Sequence, residues 1–392
     1  MQEGFVPDVV VSSMLDKSKA ELFEYINKNT ENIDSNFPVF FGKVASLFDQ
    51  MSVPVPEQAY DEFVDAVTYK VFDTTRRADD TKFVLRLCDI AIGIKRKKER
   101  KAGIHLAAAA KLMKIGRYLE ALTFLKPYWK HDALVGCWYA YCHYALYKDG
   151  STEPGFSSGE RWNYLKLARQ YLEELSQWKP PLHRLVRGEM KNDSWLDEPF
   201  WMMIFSATEW FPENRWFLQI GFTKAKADRN EVVLVKMLQA ALVRFPDDMI
   251  FFREAYYMRF DQAELGDALG LVRAMREKYP DDIEPIYYGI RTSFYLSGDK
   301  EFNEFRRLAV EKGMAGHVLA VVDFAHAFLR GKQAESALCL ENFKRKYPSQ
   351  NYYADLLEFV VVEGAGKIEG VRGAVFRSVD NYCHRMLGIK DA

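Results

Sequence analysis

The chain has 392 residues, 48% hydrophobic and 28% charged, a balance that excludes a disordered protein and is too long for one average domain unless the chain is an array. Its 54 Lys and Arg against 55 Asp and Glu leave a net charge of -1, so no global field draws it to nucleic acid or an anionic membrane, and no dedicated nucleic-acid binding is predicted. Cys88, Cys137, Cys142, Cys339 and Cys383 form no CxxC and no regular framework; they predict buried free thiols in a reducing compartment, and hence a cytoplasmic protein.

The opening MQEGFVPDVVVSS has no basic n-region and no long apolar core, so no export signal is expected. Residues 17–28, 37–49, 56–72 and 81–98 then read as helices separated by TENIDSN, SVPVP and DTTRRAD, without a common period. Residues 1–102 are therefore expected to form a helical N-terminal region or a divergent cap. The run KRKKERK, from Lys95 to Lys101, has six basic residues and one acidic one. Directly behind the apolar stripe VLRLCDIAIGI, it suits a solvated helix C-terminus; the alternative is a contact with an acidic partner.

Two helical stretches flank Gly116 in HLAAAAKLMKIGRYLEALTFLKPYWKHD at 105–132. Another pair, LVGCWYAYCHYALY and RWNYLKLARQYLEEL, is joined by the loop GSTEPGFSSG at 150–159. Residues 179–200 open on a Pro-Pro step and have less regular polarity, which predicts a bend. All eight tryptophans, Trp129, Trp138, Trp162, Trp178, Trp195, Trp201, Trp210 and Trp216, fall in this part of the chain. They serve either to fill an irregular junction between hairpins or to form a hot-spot surface for a partner.

From residue 211 a period sets in. FPEN at 211–214, FPDD at 245–248, YPDD at 279–282 and YPSQ at 347–350 place Pro212, Pro246, Pro280 and Pro348 at spacings of 34, 34 and 68. The missing member falls at Met314, in EKGMAGH. Gly221, Ala255 and Gly289 keep the same register, as do Leu218, Phe252 and Ile286, and Ala207, Ala241, Met275, Ala309 and Phe343.

Within each period an apolar helix, a polar turn and a second helix follow one another: 249–260 then 267–278, 283–296 then 301–312, and 318–329 then 334–347. Asp248 and Asp282 are placed to cap the first helices, and Pro285 sits where a first turn tolerates it. Stretches 318–328 and 356–364 are too short and too interrupted by charge to cross a bilayer. Segments 351–363 and 368–386 fit a final pair that caps the array.

The hairpin at 105–132 resembles a tetratricopeptide repeat, with Ala109 at the small position of the first helix, Gly116 in the turn, Tyr118 as the aromatic and Ala121 where the helices cross. The later units share the period and the proline more than the full signature. The resemblance implies an all-α fold, an α-α superhelix of antiparallel helix pairs, with repeats over 103–348 and capping helices over 349–392. It also implies a concave groove lined by first helices. On the proline register these positions are Trp216 and Gln219, then Arg253, Tyr257 and Phe260, then Tyr287, Arg291 and Phe294. Arginine would hold a ligand carboxylate or carbonyl while the rings supply apolar contact.

The expected function is therefore a non-catalytic scaffold, adaptor or regulatory subunit binding a protein or peptide. An accessory module with unrecognised enzymatic or toxin-related activity, and a self-assembling structural subunit, are the alternatives. No catalytic, metal or cofactor site is expected. The histidines have no HExxH spacing, Cys142-His143 and Cys383-His384 are adjacent and point apart on a helix, and EGAGKIEG lacks the Ser or Thr that follows a Walker lysine. That last segment reads as a flexible link. Asp247-Asp248 and Asp281-Asp282 recur with the period and so belong to turns rather than to catalysis.

Overall fold

The computed structural model describes residues 57–74, 81–97, 99–149, 158–186, 190–191, 196–296, 298–363 and 368–389, with scattered positions between 17 and 46. The helices expected at 17–28 and 37–49, Trp195, most of the 150–159 loop and the link at 364–367 lie largely outside these residues. Among the described residues the regular structure is helical, with no strand.

In chain order the helices are α1 (Glu57–Thr74), α2 (Thr81–Ile94), α3 (Ala102–Lys114), α4 (Tyr118–Leu125), α5 (Ala133–Asp149), α6 (Arg161–Trp178), α7 (Asp197–Trp210), α8 (Arg215–Ala227) and α9 (Glu231–Arg244). They continue as α10 (Met249–Asp261), α11 (Leu265–Lys278), α12 (Ile283–Ser293), α13 (Lys300–Glu311), α14 (Gly316–Leu329), α15 (Gln333–Lys346), α16 (Asn351–Glu363) and α17 (Ile368–Leu387). Antiparallel pairs recur: α3 with α4, α5 with α6, α10 with α11, α12 with α13, α14 with α15, and α16 with α17. The chain divides into two compact units, Met1–Met237 and Leu238–Ala392.

In the first unit, Ala107, Ala108 and Ala109 leave α3 so slender that α1, α2 and α4 all pack on it. The backbone N–H groups of Gly116 and Arg117 return to the carbonyls of Met113 and Leu112, the paired bonds of a Schellman turn. Tyr118 then opens α4, whose Ala121 is fully buried.

The basic run departs from expectation. The helix read as 81–98 ends at Ile94, and the Lys95 side chain turns inward with Nζ 2.6 Å from Asp65 Oδ1. The Arg96 N–H donates to Asp61 Oδ1 at 3.1 Å, and its guanidinium lies 4.7 Å from the centre of the Tyr60 ring. Lys95 is thus buried against an acidic residue of α1 rather than solvated at a helix end, while the Arg96 side chain stays exposed over the Tyr60 ring. Lys97 and Lys101 stay exposed.

The described tryptophans differ in burial. Trp129, Trp138 and Trp216 are buried, and Trp138 Nε1 donates to the Leu196 carbonyl at 3.0 Å. Trp162 and Trp178 are 70% and 61% exposed on α6. At 100° per residue they point about 160° apart around the helix and form no common face.

The 34-residue period becomes geometry along the later helices. Phe211, Tyr279 and Tyr347, each before a register proline, share one helix-ending conformation, with φ -131°, -125° and -129° and ψ 63°, 64° and 62°. Their N–H groups, and that of Phe245, return to the carbonyls of Ala207, Met275, Phe343 and Ala241, so this periodic column is a column of acceptors. Asp248 and Asp282 cap the next helices by accepting from the N–H of Ile250 and Glu284, and Asn214 does the same for Trp216.

Where the aromatic-proline pair is missing, Gly313 takes a left-handed φ of +75°. The N–H groups of Gly313 and Met314 return to Val310 and Ala309, a second way to stop a helix that leaves Ala309 an acceptor. The small column has an equally direct cause: at Gly289 a Cβ would stand 2.3 Å from the Phe305 ring, so only glycine lets α13 close on α12.

α16 and α17 form the expected last pair, but α17 also packs on α14 and α12. Its 20 residues give a rod of about 30 Å, long enough to cross several helices spaced at 8–10 Å. Val375, Val379 and Cys383 have no exposed surface there.

Candidate functional site

The proline register put Arg253, Tyr257 and Phe260 on α10 and Tyr287, Arg291 and Phe294 on or just after α12. The second unit brings these six into one seam. Tyr287, Arg291 and Phe294 are buried, while Arg253, Tyr257 and Phe260 are half-buried. Trp216, buried, and Gln219, half-buried, lie on α8 in the first unit.

Arg253 is already engaged. Its Nε and a terminal nitrogen donate to the two Glu284 carboxylate oxygens at 2.5 and 2.8 Å, and the Tyr288 hydroxyl donates to Glu284 Oε1 at 2.6 Å. These hydrogen bonds to Glu284 hold the Arg253 guanidinium protonated beyond its ordinary range. The carboxylate that Arg253 was expected to take from a ligand is thus supplied by the next first helix.

The rest of the seam faces α17. Arg291 Nε lies 3.0 Å from Asp380 Oδ1, and the Tyr287 hydroxyl donates to the same oxygen at 2.7 Å. Burial opposes the charge on Arg291, but Tyr256 and Asp380 outweigh it and keep the group protonated. Its guanidinium carbon sits 4.0, 4.9 and 5.4 Å from the ring centres of Phe260, Tyr257 and Phe376, a cation enclosed by π faces. Phe376 stacks on Phe260 with centroids 6.0 Å apart and meets Phe294 edge-on at 6.4 Å.

One helical turn beyond Asp380, His384 completes the row. Its Nδ1 donates to the Asp380 carbonyl oxygen at 2.8 Å, and its Nε2 shares a hydrogen bond of 2.8 Å with the Tyr257 hydroxyl. Phe376, Asp380 and His384 fall four residues apart, on one stripe of α17. Burial drives the Tyr287 and Tyr288 phenols well above their ordinary range, so both remain hydrogen-bond donors.

Phe376, Asp380, His384, Glu284 and Tyr288 are the functional candidates that sequence reasoning missed. The spacing of Phe376, Asp380 and His384 was visible, but nothing local shows which other helix they meet. Tyr288 follows Tyr287 on α12 without sharing its register.

In the first unit a cavity of about 320 Å³ is lined by Asp61, Asp65, Arg100, Gly103, Arg184 and Met190, among others. Burial pushes the Asp65 carboxyl up to about 6, with Lys95 opposing the shift. Asp61 Oδ2 and one terminal nitrogen of Arg100 are buried there without a hydrogen-bond partner. Among the described residues no group of His, Cys, Asp or Glu is arranged to hold a metal ion, and no helix is long and apolar enough to cross a membrane.

No protein-family model matches the chain, and no curated protein matches it. The observed arrangement is a helical repeat of antiparallel pairs; the tetratricopeptide likeness remains a likeness.

Proposed function

We propose that the chain is a non-catalytic protein-recognition module, an adaptor, scaffold or regulatory subunit that holds a partner segment against the first helices of its pairs. One observation supports this reading above the others: residues of α10 and α12 hold a helix, α17, through an arginine-carboxylate pair enclosed by rings. That combination gives orientation through the charge pair and affinity through apolar area. Lys97 and Lys101, exposed in the basic run, are placed to meet an acidic partner. The free cysteines suit a reducing compartment, and we place the protein in the cytoplasm.

The test is cross-linking mass spectrometry on the full chain captured from native-source lysate at physiological salt. A stoichiometric protein linked to α8, α10 or α12 is expected. A chain recovered alone, or linked only at other helices, contradicts the reading. Light scattering over a concentration series separates it from self-assembly, in which the mass rises without any added protein.

A further inference from the structure

We infer that α17 is an intramolecular ligand: it occupies a helix-receiving seam, and a partner helix of the same chemistry takes that seam in trans when α17 leaves. The inference rests on the recognition reading and names its partner class, an amphipathic helix carrying an aromatic residue, an aspartate four residues on and an imidazole four further.

The seam has the parts of a receptor. Arg291 supplies a fixed cation for the aspartate, and the Tyr287 hydroxyl adds a donor to the same oxygen. The Tyr257 hydroxyl reads the imidazole. Phe260, Phe294 and Tyr295 surround the Phe376 ring, with centroids at 6.0, 6.4 and 5.1 Å. All these groups come from α10, α12 and the residues just after α12, and all their counterparts come from one stripe of α17.

The arrangement is also separable. α10, α12 and α14 each have a second-helix partner of their own in α11, α13 and α15, so the receiving face is built without α17. A neighbouring stripe of α17 carries Arg377, Asn381 and Arg385, all exposed, so the helix is amphipathic. Tethering gives α17 a high effective concentration at the seam, so the cis contact excludes a free helix of equal intrinsic affinity.

The experiment uses the full chain and a labelled synthetic peptide of residues 368–387, followed by fluorescence anisotropy. Asp380→Asn weakens the cis helix and leaves Arg291 without its carboxylate, while the wild-type peptide still offers one. At least tenfold tighter peptide binding is expected for the Asp380→Asn chain than for wild type. That gain should vanish for a peptide carrying Asp380→Asn and for a chain carrying Arg291→Met as well. A folded Asp380→Asn chain whose peptide affinity stays within twofold of wild type overturns the inference.

Should that variant lose its helical circular dichroism, hydrogen exchange on the wild-type chain decides. Amides of α17 exchanging at least tenfold faster than those of α12 support a releasable helix; equal protection overturns it. Neither readout depends on a native partner, so failure of the lysate experiment and failure of this one remain distinct.

Discussion

Arg291 and Asp380, on α12 and α17, form an ion pair with Nε 3.0 Å from Oδ1 and only 7% and 15% of their side-chain surfaces exposed. Removing one member of such a pair strands a buried charge, whereas removing both leaves a repackable apolar site. Asp380→Ala is expected to cost about 3 kcal/mol in urea unfolding, and Asp380→Leu combined with Arg291→Met to recover more than half of the corresponding single-variant loss. A double variant as unstable as the sum of the two singles would show that the pair contributes little.

Two glycines make an opposed set. At Gly289 a Cβ meets the Phe305 ring at 2.3 Å, so Gly289→Ala should lose about 2 kcal/mol by overpacking. On the exposed side of α11, Gly270 has nothing within 4 Å of a built Cβ, so Gly270→Ala should gain about 0.5–1 kcal/mol through helix propensity. Chemical denaturation of both variants checks the sign of each.

Ala263 closes α10 in the left-handed region at φ 58°, with the N–H groups of Ala263 and Glu264 returned to Phe260 and Arg259 as in a Schellman turn. Glycine carries no Cβ penalty there, so Ala263→Gly is expected to raise stability by about 1 kcal/mol. A lower melting temperature in the variant would count against this account of the turn.

His143 on α5 is buried among Tyr139, Tyr164 and Tyr171, and neither ring nitrogen has a hydrogen-bond partner. Burial lowers its folded pKa to about 4 from 6.5. The unfolded chain therefore binds the proton first, and stability present above pH 6.5 drains away as pH falls toward 4, by about 3 kcal/mol for this one group. His143→Phe should remove that slope, read as the difference between wild-type and variant urea stabilities from pH 7 to 4.5. Parallel curves would mean that His143 does not carry the linkage.

Local chemistry made the period legible. Aromatic-proline pairs stop helices and aspartates start them, both within a few residues, so the register could be read from spacing. The gap at Met314 was visible, but the Gly313 turn that fills it was not predicted. Lys95 was misread because composition counts charges without showing that Asp65 waits on α1. The seat of α17 escaped for the same reason: the 368–386 segment has a helical pattern, but only the folded chain brings Asp380 to Arg291.

The position of α17 also sets an order in time. Among the described helices it is the last to be synthesised, so α10, α12 and α14 emerge before the helix that will cover them. At translation rates of about 5–20 residues per second, the rings and guanidinium of the seam stand uncovered on the nascent chain for on the order of seconds. In that interval the seam is open to any apolar surface that reaches it before the chain's own last helix does.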